Sequence, residues 1–73
     1  MSDYGVVLFH TTSAAFAAEK VLKKAGLECR LIPTPRDLSS DCGVAAEVNW
    51  DCIEAVRNAL ETAGIDTEGI HKL

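Results

Sequence analysis

From Tyr4 to Phe9 the chain reads YGVVLF, apolar at both odd and even positions. β-Branched and aromatic residues dominate the run, which predicts a strand buried on both faces. The period then changes. In TTSAAFAAEKVLKKAG, Ala14, Ala18, Val21, Leu22 and Ala25 fall on one side of a helix, and Glu19, Lys20, Lys23 and Lys24 fall off it. Thr11 or Thr12 is suited to cap the start and Gly26 to end it. Phe16 falls opposite the apolar stripe. LECRLI (27–32) alternates, with Leu27, Cys29 and Leu31 on one side, and predicts a second strand.

PTPRDLSSD (33–41) predicts a loop, because Pro33 and Pro35 cannot donate to a ladder and Asp and Ser favour turns. CGVAAEV (42–48) predicts a third strand, with Cys42, Val44, Ala46 and Val48 on one parity. Asn49 is placed to cap a second helix, WDCIEAVRNALETAG. Its apolar face carries Cys52, Ile53, Val56, Ala59, Leu60 and Ala63, and Gly64 ends it. A weaker last strand falls around EGIHKL.

The order β-α-β-β-α-β predicts an α+β, ferredoxin-like split sandwich: a four-stranded antiparallel sheet with two helices on one face. The first strand is then flanked by the third and fourth. No linker interrupts the chain, so residues 1–73 are expected to form a single domain. Because the first strand is apolar on both parities, the open sheet face is expected to be covered, and a second copy in a homodimer is the candidate cover.

Composition adds limits. A quarter of the 73 residues are charged and nearly half are hydrophobic, which is a globular balance. A domain this small has a thin stability margin, which oligomerisation would supplement. The net charge of −4 argues against nucleic acid and anionic membrane as partners. No stretch approaches a membrane span, and YGVVLF is too short and lacks the basic flank of a secretion signal. Three cysteines, an odd number without secretory context, imply free thiols and a cytoplasmic location. No CxxC or HxxxH pair is present, so neither a metal site nor a cofactor is expected.

Cys29 and Cys52 fall in apolar periodic positions and read as core filler. Cys42 does not; it sits at the edge of a loop, in SSDCG. In the predicted topology the start of the third strand lies beside the end of the first. This brings Cys42 next to His10, Thr11, Thr12 and Ser13, at the first turn of a helix whose N–H groups and dipole favour a thiolate. The first turn, SAAF, has no acidic residue to oppose that field. His10 and Arg36 can add positive charge, whereas Asp41 opposes it. Ser39, Ser40 and Gly43 complete the surroundings. The plainer alternative makes Cys42 a small residue tucked beneath a helix, Gly43 a tight turn and His10 a polar strand end. His71 reads as a solvated residue near the tail.

The segments LFHTT, AEKVLKKAG, RLIPTPRDLSSDCG and the closing GI resemble the selenium/sulfur carrier protein-like family, small bacterial and archaeal domains, over nearly the whole chain. The resemblance implies a carrier, with sulfur or selenium held on Cys42 as a persulfide or selenosulfide; whether the chain also acts as an enzyme stays open. It also implies a donor such as a cysteine desulfurase and an acceptor enzyme. The family often has a basic residue shortly after this cysteine, where this chain has Glu47. The chain also lacks the Cys-Pro motif of better-known small sulfur-transfer proteins. A competing reading is a regulatory ferredoxin-like module that binds a small anion at the same helix start without cysteine chemistry. A redox thiol cycling through sulfenic acid is a third reading, and it lacks an evident resolving cysteine.

Overall fold

The structure is a computed structural model, and it describes residues 3–35, 37–38 and 43–73. The elements are β1 (Tyr4–Leu8), α1 (Thr12–Lys24), β2 (Cys29–Pro33), β3 (Val44–Asn49), a short 3-10 turn (Trp50–Cys52), α2 (Ile53–Thr62) and β4 (Gly69–Lys72). They form one antiparallel sheet in the order β2-β3-β1-β4. The expected α+β, ferredoxin-like arrangement is present, and β1 is flanked by β3 and β4.

Thr11 caps α1: its Oγ1 accepts from the Ala14 N–H at 3.1 Å. Both helices end the same way. Gly26 and Gly64 adopt φ of 78° and 72°, a region glycine enters without strain. The N–H of Gly26 then donates to Lys23 and that of Leu27 to Leu22; Gly64 and Ile65 repeat this with Glu61 and Leu60. Leu27 and Ile65 are thereby turned onto the core.

Odd-numbered residues of β1 face the helices. Val7 and Phe9 join Ala46 and Val48 of β3, Ala15, Ala18 and Leu22 of α1, and Val56 and Leu60 of α2 in one buried cluster. The expected stripe on α1 is rotated slightly: Ala15 is buried, Ala14 and Val21 flank it, and Ala25 is exposed. Ala25 is the C-cap, where the last turn lifts away from the sheet. On α2, Val56 and Leu60 are buried, while Ala63, also a C-cap, is exposed. Pro33, expected in the loop, is the last residue of β2, opposite Val44. β2 is an edge strand, where the missing proline N–H leaves no neighbour unpaired.

Around Val6 and Leu8 the second sheet face is covered within one chain, while Tyr4, on the same parity, is exposed. Val6, Leu8 and Ala45 are at most 2% exposed, and Ile32 and Leu38 pack against them. Burial of Val6 and Leu8 is therefore achieved without a second copy. Among the described residues no helix is long and apolar enough to cross a membrane.

Trp50 packs on the one small position of β1. A Cβ on Gly5 would lie 2.8 Å from Trp50 Cζ3 and 3.1 Å from the His71 carbonyl oxygen. Gly5→Ala is therefore expected to cost about 1–3 kcal/mol through overpacking. Trp50 is the single tryptophan, so its fluorescence in a denaturant titration reads the loss directly. An unchanged midpoint would show that the ring moves aside freely.

Candidate functional site

One end of the sheet gathers several of the predicted site residues. β1 ends at Leu8, and the Leu8↔Ala45 pair sets the start of β3 beside it. The chain then passes through His10 into α1, so Thr11, Thr12 and Ser13 lie at the same end, all exposed. The Thr34 N–H donates to the Gly43 carbonyl at 3.1 Å, joining the loop after β2 to the approach to β3. Val44, Ala46 and Val48 face the helices, as their parity predicts. Cys42, Arg36, Ser39, Ser40 and Asp41 lie outside the described residues.

The α2–β4 connection belongs to this end too. The Glu68 N–H donates to the Leu8 carbonyl at 2.7 Å. A shallow cavity of about 400 Å³ opens between His10, Thr11, Ser13 and Ala14 on one side and Gly64, Ile65 and Asp66 on the other. Reading the sequence missed these last three residues. The strand order alone could have found them, because an antiparallel β4 beside β1 must begin where β1 ends.

The charges are mixed. No acidic residue lies in the first turn of α1, so the partial positive charge of the helix start is not neutralised from within. Asp66, exposed on the cavity wall, opposes it from outside. The cap bond uses a lone pair of Thr11 Oγ1 and leaves the hydroxyl proton able to donate. Thr11, and not Thr12, is the cap; Thr12 is the first helical residue.

The other cysteines divide. Cys29 is half-buried and packs against the core, and its thiol is pushed up from the ordinary 9.0 to about 11. Burial is the main cause, the Glu19 carboxylate adds to it, and Lys23 opposes. Cys52, expected in the core, is exposed. It ends the 3-10 turn that Asn49 caps, and three residues per turn carry it off the stripe that an α-helix would have continued. Cys29 lies opposite Val48, four ladder positions from Val44, at the far end of β3 from the site.

A larger cavity, about 530 Å³, opens at that far end between Tyr4, Glu28, Cys29, Arg30, Glu47 and Asn49. Its Arg30 and Glu47 are already paired at 2.9 Å, and burial pushes its thiol up, so it offers no ready nucleophile. Glu47 is thus a partner of Arg30. Among the described residues no group of three or more His, Cys, Asp or Glu is placed to hold a metal ion.

These thiol environments predict an order of alkylation. At a pH well below 9, a rise from 9.0 to about 11 cuts the Cys29 thiolate about a hundredfold. Iodoacetamide followed by peptide mapping should label Cys52 well before Cys29. Equal rates would mean that the Cys29 region opens faster than it reacts.

Residues 4–72 match the model of a family described as "Putative Se/S carrier protein-like". The chain belongs to this family. No curated protein and no solved structure matches the chain. The family description extends over every element from β1 to β4, so the site end and the rest of the sheet belong to the same match.

Proposed function

We propose that this chain is a sulfur or selenium carrier that holds the atom on Cys42 between a donor and an acceptor enzyme. The family match over residues 4–72 carries the reading. It is supported by the Leu8↔Ala45 pairing, which brings the approach to β3 to the end of the sheet where α1 begins. The donor is an enzyme of the cysteine desulfurase type, and the exchange takes place in a reducing compartment where thiols stay free.

The chemistry needs no oxidant. The Cys42 thiolate attacks the terminal sulfur of the donor's persulfide. The donor's S–S bond breaks, the donor cysteine leaves as a thiolate, and an S–S bond forms on Cys42. An acceptor nucleophile then attacks the same terminal atom and Cys42 leaves as a thiolate. A selenium atom follows the same course through an S–Se bond. A persulfide is more acidic than a thiol, so the loaded form is an anion. The start of α1 and the hydroxyls of Thr11, Thr12 and Ser13 are suited to stabilise it. Arg36, Ser39, Ser40, Asp41 and Gly43 are proposed to shape the surroundings of the loaded sulfur.

Intact mass after incubation with a cysteine desulfurase and L-cysteine tests the reading. The carrier should gain one sulfur atom, removable by a reducing thiol. A regulatory module that binds a small anion would gain none.

A further inference from the structure

The outer face of α1 carries a feature that packing does not explain. Phe16 is 55% exposed, although it lies on a 13-residue helix with a core to face. Lys20 and Lys24 follow at intervals of four residues, on the same face of the helix, and both are exposed. Among the described residues neither is in an ion pair, whereas Lys23, Arg30 and Lys72 are paired with Glu19, Glu47 and Asp3. Lysines in a last turn complement the helix dipole, which accounts for Lys23 and Lys24. It does not account for Lys20, nor for an exposed phenylalanine ahead of it.

A groove of about 440 Å³ adjoins the stripe. Val21, Ala25, Ala59 and Ala63 give it an apolar floor between α1 and α2, with Lys24 at its edge. An apolar anchor flanked by unpaired positive charges, beside an apolar groove, suits a protein surface of negative charge with a socket for one ring. A lipid surface fits less well: a single phenylalanine buries too little area, and a net charge of −4 repels anionic headgroups.

The stripe also lies close to the site. Phe16 is four residues past Thr12, about 6 Å along the helix axis. A protein seated on it would have its edge over the first turn of α1. We infer that Phe16, Lys20 and Lys24 form the docking face for an acidic patch on the sulfur-donating enzyme. This rests on the carrier reading and adds to it the chemistry of the partner.

The test compares two routes of loading, followed by intact mass over time. One route uses a cysteine desulfurase with L-cysteine; the other uses glutathione persulfide, a small donor that needs no docking. In wild type the enzyme should load the chain faster than the small donor does. Phe16→Ala and the pair Lys20→Glu with Lys24→Glu should each slow enzymatic loading about tenfold. Both should keep the wild-type rate with glutathione persulfide, which also shows that they are folded. The loss in the lysine pair should fade near 1 M salt, where screening acts within about 3 Å, and the loss in Phe16→Ala should persist.

Enzymatic rates that match wild type in both variants would overturn the docking face. So would an equal fall by both routes, which would place the effect at the site itself. Binding of wild type to phosphatidylserine vesicles, lost in the variants while enzymatic loading is kept, would assign the stripe to a membrane instead. A wild type that loads from glutathione persulfide but not from the desulfurase removes this partner and leaves the carrier. A wild type that gains no sulfur by either route ends the carrier reading, and this inference with it.

Discussion

Cys42→Ser should gain no sulfur from a cysteine desulfurase under conditions that load the wild-type chain. A serine hydroxyl is not ionised at neutral pH and forms no S–S bond, so the expected effect is complete loss and not a slower rate. The control that gives this result meaning is Cys52→Ser. Cys52 is exposed, so it is open to the same reagents, and a mass gain alone would not say which thiol holds the atom. Cys52→Ser should load as wild type does, and peptide mapping should place the sulfur on Cys42. Cys29 is a poor competitor, with its thiol held protonated by burial. Thr11→Val with Thr12→Val should still load but lose the sulfur sooner. Loss of the Thr11 cap bond alone should cost it about 1 kcal/mol of stability. Loading of Cys42→Ser, or sulfur mapped to Cys52, would move the chemistry to the other end of the sheet and end the proposal.

The sheet was legible because its signals are local and agree with one another. The two-sided apolar run of β1, the glycines at 26 and 64 and the alternation of 27–32 each specify one conformation, and the antiparallel order follows from their sequence. The meeting of the end of β1, the start of α1 and the start of β3 at one end of the sheet was legible for the same reason. The errors arose where a period was extended past its element. The apolar stripe of the second helix takes in Cys52 only if the α-helix begins before it, but Asn49 starts a 3-10 turn first and the period does not hold there. Ala25 and Ala63 were placed in the core by the same extension, and both are C-caps. The open face poses a different problem. Periodicity shows that Val6 and Leu8 need cover, but not that Ile32 and Leu38 of the same chain supply it. Asp66 was missed because it belongs to no motif and reaches the site only through the strand order.

Phe9→Ala should lose about 3–5 kcal/mol of stability, whereas Phe16→Ala should stay within about 0.5 kcal/mol of wild type. The two phenylalanines are seven residues apart and differ in what they touch. Phe9 is fully buried, the largest side chain in the cluster that joins β1 and β3 to both helices. Its removal takes away apolar contact and leaves a cavity that alanine-rich neighbours, Ala15, Ala18 and Ala46 among them, are too short to fill. Such a change costs about 3–5 kcal/mol. At roughly 0.05–0.15 kcal/mol per residue, a chain of this length has only about 4–11 kcal/mol in total. The loss is therefore about a third or more of the margin and matches the whole of it at the lower end, and it should appear as a large fall in melting temperature. Thermal unfolding followed through Trp50 measures both variants on one scale. A Phe9→Ala melting temperature within a few degrees of wild type would mean that the helices close over the space, and that the position of α1 over the sheet end is softer than the core suggests. Since His10 and the start of α1 follow Phe9 directly, a loss of sulfur loading in Phe9→Ala would then have to be read as displacement of the site, and in the unfolded case as loss of the site altogether.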